Sequence, residues 1–455
     1  MTILELFQAQ QNYVKTHQEP DVLRLKEQLI MLRSNMIKHE QDLYDAFQSD
    51  FHKSQQEVYL TEYAIALNEL NWFIKKLNKI YRTKSYYDPL WIINQKTFTR
   101  RQGYGTTIIY SPYNYPFNLS MVPLIGSIAM NNTVILKPAS YTKAVTQVMK
   151  TIIEETFSPE QCCIVDETWS EHLYDELYSL DPDLVFFTGS EAVGRKIYEN
   201  YSSKLIPVVL ELGGKCPVIV DDTFDVNITA KRLVWGKMVN NGQTCVAPDY
   251  VIVQESVKQQ LIEALIQEFN TQYPAARQGE DIAYSVNKKS LAKFNELLQG
   301  QNIVAQLKTN DNQLGFTIVD VTKEQLDSDL MQTEIFGPIL PICTFKTKED
   351  ILNIVQRNNY PLASYAFTTD KEFFNWLFWN IKTGAFVQND VLVHCDKMSP
   401  FGGIKNSGVG QYHKWNSVTT FSQLKPMVKA SRIDVPARYA PYTSDKLHFL
   451  KKFYK

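Results

Sequence analysis

The chain has 455 residues, of which 44% are hydrophobic and 21% charged, and its formal net charge is −2. That length is more than one ordinary core holds and implies two or three domains of roughly 150 residues each, with a globular composition. The near-balanced charge excludes a general attraction to nucleic acid or an anionic membrane, and no segment approaches the ~20 apolar residues of a membrane helix.

The opening residues Met1, Thr2, Ile3, Leu4 and Glu5 lack the basic stretch and apolar run of a secretory leader, and the end, from Lys451 to Lys455, is basic and aromatic. Six cysteines (Cys162, Cys163, Cys216, Cys245, Cys343, Cys395) form no CxxC and no zinc-like spacing. A reduced, cytoplasmic setting without a metal is therefore expected.

In chain order, the first ~80 residues read as helices, because Leu25, Leu29, Leu32 and Met36, then Leu60, Tyr63, Leu67, Leu70 and Phe73, recur at helical spacing. Trp91 to Arg100 reads as an extended strand or hairpin arm. From Thr106 short apolar runs begin at Thr106, Thr133, Cys163, Leu184 and Val208, separated by helical stretches. Strand and helix alternating in this way predict a parallel sheet covered on both faces. A second α/β run extends from Tyr250 to about Gly384. Two Rossmann-type α/β lobes with a cleft between them are expected, and ligands in such folds sit at the carboxyl ends of the strands.

Informative residues follow the runs. Glu211 lies in Leu210-Glu211-Leu212-Gly213-Gly214 and reads either as a strand-end carboxylate reaching solvent or as a base whose pKa is raised by apolar neighbours. Cys245 lies in Gly242-Gln243-Thr244-Cys245, on a polar turn where a core cysteine would have apolar neighbours, and the turn's N–H groups favour a nucleophilic thiolate. A nucleophilic thiol and a general base are the two halves of a covalent mechanism ending in hydrolysis.

Asn114, between Pro112 and Pro116, is either a turn residue or an oxyanion donor. The turn from Gly189 and Ser190 to Gly194 opens a helix after a strand and suits a phosphate, although it is not GxGxxG. Lys137 reads as a surface lysine or a ribose or phosphate contact. Glu334 and Phe336 offer a carboxylate and a ring to a flat cofactor, or a hydrophobic plug, and Phe401 before Gly402-Gly403 is a second such aromatic. Tyr115, Trp235 and Val239 are candidate substrate-funnel residues whose bulk favours an aliphatic or aromatic substrate. Asp249 and His413 have no partner visible in the sequence and read as structural.

Together these segments resemble the aldehyde dehydrogenase superfamily, in particular its class 3 branch, from about Gly105 to Met427. The resemblance implies Cys245 as nucleophile, Glu211 as base, and Asn114 with the Cys245 N–H as oxyanion hole. It further implies Lys137, Gly189, Ser190, Gly194, Glu334 and Phe336 as contacts to NAD or NADP, an aldehyde substrate and a homodimer. The implied fold is α/β, with an NAD(P)-binding domain (1–84 and 105–209), a catalytic domain (210–391), a bridging β arm for oligomerisation (85–104 and 392–430) and a C-terminal tail (431–455).

Four positions depart from the family pattern: Cys216, Met238, Val239, and Ser140, where the family often has a glutamate. A glutamate there repels a 2′-phosphate and a serine does not, so tolerance of NADP is expected. A cysteine-dependent ester hydrolase and a cofactor-binding protein without catalysis remain the alternative readings. Acylating dehydrogenases that transfer to coenzyme A generally lack the base, so Glu211 disfavours them.

Overall fold

A computed structural model describes residues 1–86, 96–275, 277–286, 289–307, 313–395, 399–430, 432 and 435–452. The N-terminal helices Ile3–Thr16, Val22–Lys38, Glu40–Phe51 and Ala64–Ile80 form as the periodicity predicts, with Leu25, Leu29, Leu32, Met36, Leu70 and Phe73 fully buried. Leu60 departs from the pattern. Residues Tyr59–Tyr63 form a π-helical turn, whose extra residue shifts the helical phase, so Leu60 is 53% exposed while Glu62 is buried.

The five predicted runs are the five parallel strands of a six-stranded sheet. Its order is Gly408–Val409, Val208–Glu211, Leu184–Thr188, Thr106–Tyr110, Thr133–Lys137, Cys162–Ile164, with only Gly408–Val409 antiparallel. The first strand in sequence, Thr106–Tyr110, lies mid-sheet, and successive strands are added first to one side and then to the other. The chain's direction of travel therefore reverses between Thr106–Tyr110 and Leu184–Thr188, where a doubly wound sheet opens its ligand crevice.

A seven-stranded sheet follows in the order Asn302–Gln306, Thr317–Asp320, Ile339–Phe345, Tyr250–Gln254, Pro217–Val220, Ala363–Phe367, Ala385–Gln388, with only the first pair antiparallel. Central strands such as Pro217–Val220 and Ala363–Phe367 are buried along their whole length, as a parallel sheet covered on both faces requires.

Lys84–Tyr86, Lys96–Gly103 and Ser422–Lys429 form a third, antiparallel sheet, in which the last two strands pair from Gly103 opposite Ser422 to Lys96 opposite Lys429. Of the expected arm, residues 87–95 and 396–398 lie outside the described residues, as do parts of the expected tail.

Candidate active site

Three consecutive left-handed residues, Asn240, Asn241 and Gly242, lead into the cysteine turn. Asparagine tolerates this conformation, but a Cβ on Gly242 would stand 2.4 Å from the Gly337 carbonyl oxygen, so only glycine fits there. Gln243 pins the turn: its side-chain amide donates to the carbonyls of Asn240 (3.0 Å) and Tyr284 (3.1 Å) and accepts from the Val286 N–H. Thr244 shares a 2.5 Å hydrogen bond with the Tyr115 hydroxyl, and the Cys216 thiol lies 3.5 Å from the Cys245 carbonyl oxygen. Cys245 itself stays partly exposed. Desolvation, reinforced by Cys395, Glu334, Cys216 and Glu211, pushes its thiol well above the usual range.

Glu211 ends its strand almost fully buried, and among the described residues neither carboxylate oxygen has a hydrogen-bond partner. Burial alone pushes its pKa well up. Asn114 is also buried. Its side-chain nitrogen donates to the Gln243 carbonyl at 2.9 Å, and its own carbonyl accepts from the Asn240 amide at 2.7 Å. An amide nitrogen carries two hydrogens, so one bond fixes the group and the other hydrogen remains.

Cys245 borders two cavities. One, of about 320 Å³, is lined by Asn114, Thr188, Gly189, Ser190, Glu211 and Glu334, together with Phe336 and other residues. The other, of about 330 Å³, is mostly apolar, and its walls include Leu60, Tyr115, Trp235, Val239, Phe401 and His413. Burial, with a smaller contribution from the Lys414 cation, holds His413 down to about 3, so its ring is neutral there.

The family model described as "Aldehyde dehydrogenase family" matches residues 8–427. The chain belongs to the aldehyde dehydrogenase family. It is 36% identical, over the full length of both proteins, to 4,4'-diaponeurosporen-aldehyde dehydrogenase of Staphylococcus aureus. It is 32% identical, over 88% of each chain, to the dimeric NADP-preferring aldehyde dehydrogenase of the dog, Canis lupus familiaris. The solved substrate-bound Staphylococcus aureus AldH superposes with a TM-score of 0.95 over all of both chains, at 36% identity.

The enzyme is an NAD(P)-dependent aldehyde dehydrogenase, an oxidoreductase acting on aldehydes. Family membership decides for this reaction over ester hydrolysis or a role without catalysis.

The residues of the polar cavity fit such a cofactor. Ser190 starts the helix Glu191–Ser202 without a side-chain cap, which leaves first-turn N–H groups for a pyrophosphate. A Cβ on Gly189 would collide with the Phe187 ring at 2.6 Å, so the backbone there stays bare. Glu334 accepts from the Gly214 N–H at 3.1 Å, and burial raises its pKa to about 7. Phe336, at a positive φ of 56°, packs edge-on to Tyr113 with ring centres 6.2 Å apart.

Two of the expected cofactor residues are not in that cavity wall. A Cβ on Gly194 would meet Leu212 at 2.6 Å, so this glycine lets the helix lie close against the sheet. Lys137 is buried under Glu167, to which its ammonium donates at 2.7 Å. All four funnel candidates of the dehydrogenase, Tyr115, Trp235, Val239 and Phe401, do line the apolar cavity.

Sequence reasoning missed several contributors. Leu60, Thr61 and Ile65 reach the apolar cavity from the N-terminal helices, and Lys293 holds the carbonyls of Glu334 (2.8 Å) and Ile335 (3.2 Å). Asp249 has partners after all: it accepts from Lys215 at 2.6 Å and from the Ile335 N–H at 3.1 Å, tying the Glu211 segment to the Phe336 loop. A carboxylate four residues after the cysteine was visible in the sequence, but its lysine lies 34 residues away. Among the described residues no His, Cys, Asp or Glu cluster suits a metal, and no helix is long and apolar enough to cross a membrane.

Proposed function

We propose that Cys245, Glu211 and Asn114 carry the reaction and that the substrate is an extended apolar aldehyde. The observation supporting this reading is the place of Cys245 between an apolar and a polar cavity. An aldehyde entering from the apolar side would present its carbonyl carbon to the Cys245 sulfur, and on the polar side Ser190, Glu334 and Phe336 would hold a nicotinamide cofactor, which would supply the hydride acceptor. Burial holds the resting thiol protonated, so its proton passes to Glu211, a carboxylate whose own raised affinity suits it to receive one. The free hydrogen of the Asn114 amide and the Cys245 N–H bind the developing oxyanion. Once Glu211 has given that proton up to solvent, it draws a second one from the water that attacks the thioester, and the C–S bond breaks to release the acid and the Cys245 thiolate. The unpartnered carboxylate oxygens leave room for that water to bind.

The Staphylococcus aureus relative is named for a long polyene aldehyde, which agrees with the apolar walls here. A series of straight-chain and polyene aldehydes, followed by absorbance of the reduced cofactor with the acid product identified by mass, tests the reading. Catalytic efficiency is expected to rise with chain length, and a preference for short or charged aldehydes would reject the substrate proposal.

The remaining expectations join this proposal. The three sheets support the division into a cofactor domain (1–84 and 105–209), a catalytic domain (210–391), an arm (85–104 and 392–430) and a tail (431–455). The dog relative is named as dimeric, and the strand Ser422–Lys429 exposes Leu424, Met427 and Val428, which supports a homodimer joined through the arm. Sedimentation of the purified protein tests this, and a monomer at micromolar concentration would refute it.

A further inference from the structure

The residue at 140 is a serine, so the loop after Lys137 carries no carboxylate of its own at that position. The fold supplies one from elsewhere. The strand Cys162–Ile164 lies beside Thr133–Lys137 at the sheet edge, and the loop after it brings Glu167 over the end of the neighbouring strand. The Lys137 ammonium is boxed in. It donates to the Pro138 carbonyl and to Glu167 Oε1, both at 2.7 Å, and it faces the Tyr174 ring, with the centroid 4.9 Å away.

Lys137 is 2% exposed, whereas the Glu167 side chain is 48% exposed. A ligand on this part of the sheet therefore meets the carboxylate first. Among the described residues Glu167 Oε1 is the oxygen held by lysine, and Oε2 accepts no hydrogen bond. The position relative to the polar cavity is also suitable. Lys137 pairs opposite Tyr110, two residues before the cavity residue Pro112, and two strand spacings of about 4.8 Å separate its strand from the one that leads into Gly189. Between them the rings of Phe336, Tyr113 and Tyr141 form a continuous edge-to-face row, with centres 6.2 and 5.7 Å apart. A dinucleotide held with its nicotinamide at Cys245 and its pyrophosphate at Ser190 would bring its adenosine toward this edge.

We propose that Glu167, held by Lys137, is the residue that selects between the two cofactors: its free oxygen accepts the adenosine ribose hydroxyls of NAD and repels the 2′-phosphate of NADP. A carboxylate is acceptor-only, so it matches a 2′-hydroxyl and opposes a phosphate dianion. The serine at 140 removes one source of discrimination, and Glu167 restores it from the adjacent strand. This inference rests on the cofactor site described above.

The test is equilibrium binding without substrate, using quenching of intrinsic fluorescence by NAD and by NADP in the wild-type protein and in Glu167→Gln. Glutamine keeps the size and removes the charge, and its amide oxygen can still accept from the Lys137 ammonium; a thermal melt checks that the variant folds. The expected result is at least tenfold tighter binding of NAD than NADP in the wild type, with the ratio moving at least tenfold toward NADP in the variant. Competition by 5′-AMP and 2′,5′-ADP is expected to shift in the same sense, which locates the effect at the adenosine end. An unchanged ratio with both cofactors still bound would overturn the role of Glu167 alone. Failure of the wild type to bind either cofactor would overturn the cofactor site itself.

Discussion

The two cavities that meet at Cys245 are similar in volume and differ in how the chain builds them. The polar one is assembled from strand ends and the turns that follow them: Asn114 after Tyr110, Gly189 after Thr188, Glu211 at the end of its strand. The apolar one draws its walls from an N-terminal π turn, a helix of the second lobe and the loop around Phe401. Chemistry shared by all substrates sits on rigid sheet termini, and the part that distinguishes substrates sits on peripheral segments.

Substitutions on the two sides should therefore fail in different ways. The largest effect is expected from Cys245→Ala, which removes the nucleophile and should leave no aldehyde-dependent reduction of cofactor while binding of cofactor persists. Next is Glu211→Gln, for which a loss of about 10²–10⁴ in steady-state rate is expected, with no burst of reduced cofactor, because the group that takes the thiol proton ahead of hydride transfer is the one removed.

The same variant has a second readout, in stability. The raised pKa of Glu211 means the folded protein holds a proton that the unfolded chain releases above about pH 4. This group's contribution to stability therefore falls as pH rises from there through its folded-state pKa. Glu211→Gln should melt higher than wild type, with the gap widening from pH 4 to pH 8; a constant gap would mean that the carboxyl is not perturbed.

Asn114→Ala should lower kcat by about 10²–10³ through loss of an oxyanion donor, with little change in the KM for long aldehydes. The smallest effect is expected on the apolar side. Trp235→Ala should raise the KM for a long apolar aldehyde about tenfold, the equivalent of some 1.4 kcal/mol of lost contact, and leave short aldehydes unaffected. A fall in kcat of equal size for both would blur the division between the two cavities.

Legibility in the sequence follows the same division. Parallel strands announce themselves as apolar runs, and their carboxyl ends are where ligands sit, so Asn114 and Glu211 stood out by position; Cys245 stood out by its polar turn, and the fold gathers all three on the polar cavity. Leu60 was not, because a π turn moves it off the stripe that its spacing suggests. Asp249 and Lys215 are joined only by folding, as are Lys137 and Glu167 across neighbouring strands. At Gly194 the packing against Leu212, which a Cβ would meet, is a reason for glycine that the sequence does not display.

The apolar cavity has a consequence for how the protein is made. Leu60 and His413 both line it, and the Glu57 carboxylate of the N-terminal region accepts from the Asn240 N–H at 2.8 Å, just ahead of the cysteine turn. A ribosome completes the reactive thiol long before it delivers Phe401, Tyr412 and His413. Until those residues emerge the nascent chain has a cysteine but no chamber to present it an aldehyde, so synthesis order itself delays the onset of chemistry.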